Sequence, residues 1–498
     1  MRRKLAIVFA AALGVLSFVT RLPALLNASG TNSDAAVVGL QARHLLHVSW
    51  HEWSPFLWGS VYQTSADSIW AALVFKVFGA TPLALMLSSL VLYAALTIFA
   101  YCTLLRHTTP ARAFVSVLPL VFTTACVHSY ALYPPRQLAL TVAFAAFFAI
   151  DKGSIVSLAI GGLLAMLAWV FDPYAMIFLP AAFVLAIASV LRHRESLGPR
   201  ARALGAFFAG VALGTVALAW LFTRPQAQQG VSSMSASVIS HNAKLLWHEC
   251  LPWAIGTKVY KPLHVMDYVP WVMPRAYRIV TWIGVVSLVA AMLASAAFAF
   301  RRIQSLAAIA WLTIALNVGG FLVSLMVMDH FSMRYLAASI LVLPFALAPL
   351  VDRIGAAKAA PLLAPYLFVA GAGGWLAHGD WVRGPLPQRT DAGRGAVEAH
   401  VLSALQERKI DAAIADYWAS YRLDFLWREA VVVVPYHESQ DRYPPYRAKF
   451  ETAKRFAYIH DRDRSFEDER DAIADFSKTA KMRDHFAWEG FDVVVFER

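Results

Sequence analysis

Only ten carboxylates stand among the first 379 of the 498 residues, against 22 in the remainder. Acids are costly at membrane depth and usually functional where they persist, so each of the ten can be weighed singly. Asp151, Glu195 and Asp352 sit near basic residues and need no further role. That leaves Asp34, Glu52, Asp67, Asp172, Glu249, Asp267 and Asp329. A carboxylate can take a proton from a reacting hydroxyl, or it can cap a helix. Both readings are open for Asp34 in Asn32-Ser33-Asp34, which opens an amphipathic stretch, and a cap is the simpler reading of Asp67. Asp172, before Pro173, suits a tight turn.

Cations are the complementary set. Arg offers a bidentate fork to a phosphate and Lys a point charge, and Arg136, Lys258, Lys261, Arg275 and Arg334 are the candidates, each equally able to snorkel at an interface. His44, His47 and His51 recur at helical spacing, compatible with a metal but better explained as a polar interfacial face. His128 and His241 are candidates for acceptor or phosphate contacts. Trp50, Trp53, Trp58, Tyr62, Trp247, Trp253 and Trp271 can stack on sugars, though an interfacial aromatic belt needs no ligand.

These groups must be positioned by apolar elements. The chain is 59% hydrophobic and 15% charged, whereas soluble domains run at about 45–50% and 25%. Eleven stretches are candidate spans, at 5–24, 82–105, 114–130, 137–151, 154–171, 174–191, 204–222, 277–299, 303–327, 335–351 and 360–377. The first reads as a retained span rather than a signal peptide, because Leu26 and Ala28 make a poor cleavage site. Basic residues such as Arg2, Arg3, Lys4, Arg106, Arg112, Arg192 and Arg353 fall between alternate spans. The positive-inside rule then puts the amino terminus in the cytoplasm and the tail outside the cytoplasmic membrane. The formal +12 divides into +15 for residues 1–379 and −3 for the rest, so it reflects topology and not nucleic-acid binding. Three cysteines, Cys102, Cys126 and Cys250, are expected to be unpaired.

On this topology residues 25–81 form the first outer loop, with amphipathic stretches at 35–46 and 68–78 expected to lie along the membrane surface. Residues 225–245 are poor in large apolar side chains and suit a substrate-gated loop. Two domains are expected, a membrane unit at 1–377 and a soluble α/β domain at 378–498. In the latter, strands are expected at 411–416, 430–435, 456–459 and 492–496, and polar helices at 391–408 and 466–482. It carries neither a GxGxxG nor a P-loop motif.

The stretch Asp34 to Gly79 resembles the first outer loop of bacterial GT-C glycosyltransferases related to protein O-mannosyltransferases and the aminoarabinose transferase of lipid A. The matching residues are Asp34, Gly39, Ala42-Arg43, Trp58-Gly59, Tyr62 and Asp67. Trp169 to Pro180, Arg334-Tyr335, Ala415 to Leu423 and Arg442-Tyr443-Pro444-Pro445 resemble later parts of the family. The family's Asp-Glu pair is Asp34-Ala35 here, its loop Gln is Ser60 and its later Glu is Asp67. The resemblance implies a GT-C-like fold of about eleven spans. It also implies inverting transfer of a sugar from a polyprenyl-phosphate donor to a lipid, glycan or protein acceptor on the outer side of the membrane. Asp34 would be the base, and Arg334, Arg136, Lys258 and Arg275 would hold donor phosphate. Asp67, Tyr62, Asp172, His128 and His241 would line the acceptor cavity. A divalent metal, Mg or Mn, would use Asp34 and Asp172, a site weakened by the loss of the second family acid. The alternatives are a transporter or flippase of a lipid-linked substrate, which calls for midplane charges and internal repeats, and a catalytically silent envelope protein on the same scaffold.

Overall fold

The computed structural model describes residues 2–22, 25, 31–49, 53–60, 62–124, 127, 134–193, 196–223, 234–258, 260–262, 268–270, 273–301, 305–378, 391–462 and 468–498. Among the described residues, seven helices are long and apolar enough to cross a membrane: Pro82–Leu105, Pro173–Arg192, Leu197–Leu221, Arg275–Ala299, Ser305–Val323, Ser332–Ile354 and Ala356–Trp375. The other four expected spans coincide with the shorter helices Arg2–Val19, Pro110–Val121, Gln137–Lys152 and Ile155–Phe171. Helix ends follow local chemistry. Thr81 caps Pro82–Leu105, whose first residue is the proline that suits that position. Gly153, in the left-handed region, ends Gln137–Lys152, and Ser154 caps the next helix.

The helices share a core that includes Tyr101, Phe144, Phe147, Phe207 and Phe345. Cys102 and Cys250 are free, and Cys126 lies outside the described residues. A two-stranded pair, β1 (Tyr260–Pro262) and β2 (Tyr268–Pro270), belongs to the segment before Arg275.

The tail is an α/β domain on a mixed five-stranded sheet: β3 (Ala412–Ala415), β4 (Val432–Pro435), β5 (Arg455–Asp461), β6 (Lys481–Trp488) and β7 (Phe491–Glu497), in the order β4-β3-β5-β7-β6. The β3–β4 and β3–β5 pairs are parallel; β7 is antiparallel to both neighbours. Both faces are covered. Ile414, Val432, Val434, Phe456, Tyr458, Val494 and Phe496 point into one core, and Ala413, Val433, Ala457, Ile459, Val493 and Val495 into another. This two-sided burial is why the strands read as unbroken apolar runs.

Two corrections concern the tail. The helix expected at 466–482 is Glu469–Ser477, and Lys481 already belongs to β6. That edge strand is largely exposed and lacks the apolar alternation that would mark it in sequence.

The loop helix Ser33–Leu45 gains a roof. It buries Ser33, Ala35–Ala42 and Leu45, sharing one core with Tyr417, Tyr421 and Phe425 of the tail helix Tyr417–Leu426. A β carbon on Gly39 would lie 2.7 Å from Phe425 Cε2, so the contact requires glycine. Arg43 Nη2 donates to the Phe425 carbonyl at 2.9 Å and His44 Nε2 lies 2.7 Å from Glu429 Oε1. The helix Ser33–Leu45 and the tail are therefore packed together.

Candidate functional site

Asn32, not Asp34, caps the loop helix, its side chain accepting from Ala35 N at 2.8 Å. Asp34 is left in the first turn, where the helix dipole favours a carboxylate. Its side chain is 40% exposed. From the tail, the Tyr417 hydroxyl donates to Asp34 Oδ1 at 2.6 Å. Arg442 Nε donates to the same hydroxyl at 3.2 Å, and Nη2 lies 3.9 Å from Oδ1. Nη1 of Arg442 reaches the Gly59 carbonyl at 3.0 Å, and Ser33 Oγ donates to the Tyr417 carbonyl at 2.6 Å. Burial, with the Asp34 carboxylate beside it, holds the Tyr417 phenol well above its ordinary range, so it stays a donor. No hydrogen bond engages Asp34 Oδ2 among the described residues.

A second cluster lies around Asp172, which ends Ile155–Phe171 and opens the short helix Pro173–Phe178. It accepts from Tyr174 N at 2.8 Å, Gln63 Nε2 at 2.9 Å and Arg136 Nε at 3.1 Å. The turn expected of Asp172 is present, with an ion pair added to it.

Asp67 is placed differently from its sequence reading. Ser65 is the N-cap of its helix Ala66–Phe78, and Asp67 accepts instead from the backbone of Arg136 at 3.0 Å and of Leu138 at 3.2 Å. It thus closes the open N-terminus of another helix, Gln137–Lys152. Burial pushes the Asp67 carboxyl up to about 6, against the two amide bonds that lower it. Arg136 itself has φ 102°, a conformation rare outside glycine, held between these carboxylates.

The Arg136 guanidinium is 5.8 Å from the Tyr335 ring centre and 5.5 Å from that of Tyr174. Arg334 lies 5.1 Å from the same Tyr335 ring and donates to its hydroxyl at 3.2 Å. The two arginines thus converge on one tyrosine. Tyr62, 38% exposed, joins the clusters electrostatically. Its phenol is raised by partial burial, lowered by Arg136, and raised further by Asp172, Tyr335 and Asp34. Arg136, Asp172, Tyr335 and Asp34 thus all lie within electrostatic reach of Tyr62.

The remaining candidates have other surroundings. Lys258 Nζ bonds Glu249 Oε2 at 2.8 Å and the His248 carbonyl at 3.1 Å. Arg275 is exposed at the start of Arg275–Arg301. His241 is exposed while its neighbour Asn242 is buried against the carbonyls of Phe321, Leu322 and Ser324. His128, His51, Glu52 and Asp267 lie outside the described residues. His44 is spent on Glu429 and packs edge-on against Trp58 and Tyr443.

Asp172 already accepts from three donors and Asp34 Oδ1 from the Tyr417 phenol, which leaves Asp34 Oδ2 as the open carboxylate oxygen of the pair. Among the described residues, side chains with the spacing of metal ligands occur at Glu469, His485 and Asp492 in the tail. There Asp492 is already paired with Arg462 at 2.7 Å.

Sequence reasoning gave no role to Tyr417, Arg442, Gln63 or Tyr335. The signal for three of them was present, since Tyr417, Arg442 and Tyr335 all stand in the segments that resemble the GT-C family.

No protein-family model and no curated protein matches the sequence. The fold, in contrast, has clear likenesses. ArnT from Cupriavidus metallidurans bound to undecaprenyl phosphate matches with a TM-score of 0.57 and 10% identity, over 98% of this chain and 97% of that one. The apo form of ArnT gives 0.52 and 11%, with the same coverage. The archaeal oligosaccharyltransferase AglB from Archaeoglobus fulgidus, in complex with an inhibitory peptide and a dolichol-phosphate, gives 0.47 and 10%, over 91% of this chain and 69% of that one. The chain has the ArnT-like GT-C fold, a multi-pass membrane unit with a sheet domain at its carboxyl end.

Proposed function

We propose that this chain is a membrane glycosyltransferase that moves a sugar from a polyprenyl-phosphate donor to a hydroxyl of a lipid, glycan or protein acceptor outside the cytoplasmic membrane, with inversion. The observation that carries the reading is Asp34. One carboxylate oxygen is held by a phenol and the other is open, on a fold whose ArnT example is bound to undecaprenyl phosphate.

In the proposed step the acceptor O–H gives its proton to Asp34 Oδ2 while the acceptor oxygen attacks the anomeric carbon. The bond from that carbon to the phosphate oxygen breaks, and its electron pair leaves on polyprenyl phosphate. A single base suffices for inversion. Arg334 and Arg136, gathered on Tyr335, are the cations assigned to the leaving phosphate. Tyr62 and Asp172 line the acceptor side, with Asp172 fixing Arg136. Lys258 and Arg275 are assigned no place in this step. The tail is placed outside the membrane and the amino terminus in the cytoplasm.

A transporter would call for midplane charges. The acids described in the membrane unit stand at helix ends, as Asp151 in Gln137–Lys152 and Asp352 in Leu343–Ile354, which favours the enzyme. The test is to reconstitute the protein in vesicles with synthetic undecaprenyl-phosphate monosaccharides together with lipid, glycan and protein acceptors, and to follow acceptor-dependent release of undecaprenyl phosphate. Release by the wild type and its loss in Asp34→Asn are expected; undiminished release by the variant removes Asp34 from the step.

A further inference from the structure

Asp34 comes from the membrane unit, yet the side chains that hold it come from the other end of the sequence. Tyr417 and Arg442 are separated from Asp34 by more than 380 residues, and both belong to the soluble domain. Resting on the assignment of Asp34 as the base, we infer that the tail domain is part of the active site: Tyr417 is a positioning residue that selects which oxygen of Asp34 takes the acceptor proton, and Arg442 positions Tyr417.

Three observations carry this. First, the hydroxyl of Tyr417 occupies Oδ1 at 2.6 Å, a distance typical of a bond to a charged acceptor. A carboxylate on a short side chain rotates freely unless one oxygen is engaged, and engagement of Oδ1 leaves Oδ2 as the acceptor of a proton. Second, Tyr417 is itself fixed from two sides. Its backbone carbonyl accepts from Ser33 Oγ at 2.6 Å, the residue beside Asp34, and its hydroxyl accepts from Arg442 Nε at 3.2 Å. The base and its holder are therefore registered through adjacent residues of one loop helix.

Third, Arg442 is clamped in turn. Its Nη1 donates to the Gly59 carbonyl at 3.0 Å, and its backbone N–H donates to the Tyr421 hydroxyl at 2.5 Å. Gly59 has φ +62°, and a β carbon there would stand 2.6 Å from Arg442 Cα. The loop thus admits the arginine only because residue 59 is glycine. Burial alone would lower the Arg442 guanidinium, but Tyr417 and Asp34 beside it raise it on balance, so it remains a charged donor to the phenol. A tail domain that merely capped the membrane unit would need the apolar contact of Phe425 on Gly39, but not a polar chain that ends on the base.

Positioning is separable from binding and from folding. The vesicle release assay is run on wild type, Tyr417→Phe, Arg442→Lys and Tyr458→Phe, with kcat and KM for the undecaprenyl-phosphate monosaccharide taken separately. Tyr458 is an equally buried tail tyrosine whose hydroxyl meets His460 Nδ1 at 3.4 Å, and its variant controls for the loss of a phenol from the domain. Tyr417→Phe is expected to lower kcat by about 10–100-fold, as loss of a hydrogen bond to a charged group costs, with KM changed by less than about twofold. Arg442→Lys, which keeps the charge but loses the fork, is expected to fall between Tyr417→Phe and wild type, and Tyr458→Phe to match wild type.

An active wild type whose Tyr417→Phe variant keeps its kcat overturns this inference and leaves the transferase reading standing. The same result follows if Tyr417→Phe and Tyr458→Phe lose activity alike, since that is a folding effect. A folded wild type that releases no undecaprenyl phosphate from any donor overturns the transferase reading, and this inference with it.

Discussion

Two carboxylate–arginine clusters lie within electrostatic reach of Tyr62 and are built in opposite ways. Asp172 is almost wholly buried, with its donors supplied by a backbone amide, Gln63 and Arg136. Asp34 is 40% exposed, engaged at one oxygen by Tyr417 and only loosely faced by Arg442 at 3.9 Å. A buried carboxylate with both oxygens engaged by three donors serves to hold its arginine; a half-engaged, half-exposed one has a free oxygen and a fixed orientation. The residue types are the same, and on the proposed reading the difference in solvation and engagement divides chemistry from scaffolding.

The contrast can be broken first at Asp34. Asp34→Asn should lower turnover by about 10²–10⁴-fold, the usual worth of a general base, while its unfolding free energy changes by less than about 1 kcal/mol, as befits a solvent-accessible pair. Release kinetics and denaturant titration in detergent check the two halves.

Arg136→Met should behave in the reverse sense. It strands the buried Asp172 without its cation, which costs about 3–5 kcal/mol of stability. Adding Asp172→Asn should restore most of that loss, as read from unfolding midpoints.

The third test uses pH. The folded Asp67 carboxyl titrates near 6, above its ordinary value of 3.8, because it is buried. A raised folded value means that the proton stabilises the fold fully below the ordinary carboxyl range and that this contribution is lost as pH rises through about 6. Wild type should therefore lose about 2–3 kcal/mol between pH 4 and 7 from this group. Asp67→Asn, which does not titrate, should lack that slope in thermal unfolding at the two pH values.

Smaller effects sharpen the seam between loop and tail. Gly59→Ala forces a β carbon to 2.5 Å from Arg442 Cδ at φ +62°, and should cost about 1–3 kcal/mol with a matching fall in turnover. His241→Ala should leave stability within about 0.5 kcal/mol, as read from unfolding midpoints, since His241 is exposed.

Much of the fold was legible because burial writes itself into composition. Seven of the eleven expected spans fall on helices long and apolar enough to cross a membrane and the others overlap shorter helices, and the four apolar strands of the tail were found because both sheet faces are covered. The edge strand Lys481–Trp488 was not legible, since its side chains meet solvent and carry no period. Asp34 stood out as an acid in an acid-poor region, whereas Tyr417 was one of 17 tyrosines in the chain. The cap expected of Asp34 went to Asn32 and that of Asp67 to a different helix, because either acid can reach several amide ends and only packing selects one.

The sequence alone determined the membrane character, the acid-poor unit with its acidic tail, and the short list of carboxylates, because hydrophobic burial and the cost of charge in lipid act on composition and spacing. Only the tertiary structure decided which acid is open and which is saturated, and that Tyr417 and Arg442 meet Asp34. Those properties depend on partners hundreds of residues apart, brought together by the packing of the tail helix on the loop helix, and local pattern carries no information about such a pairing.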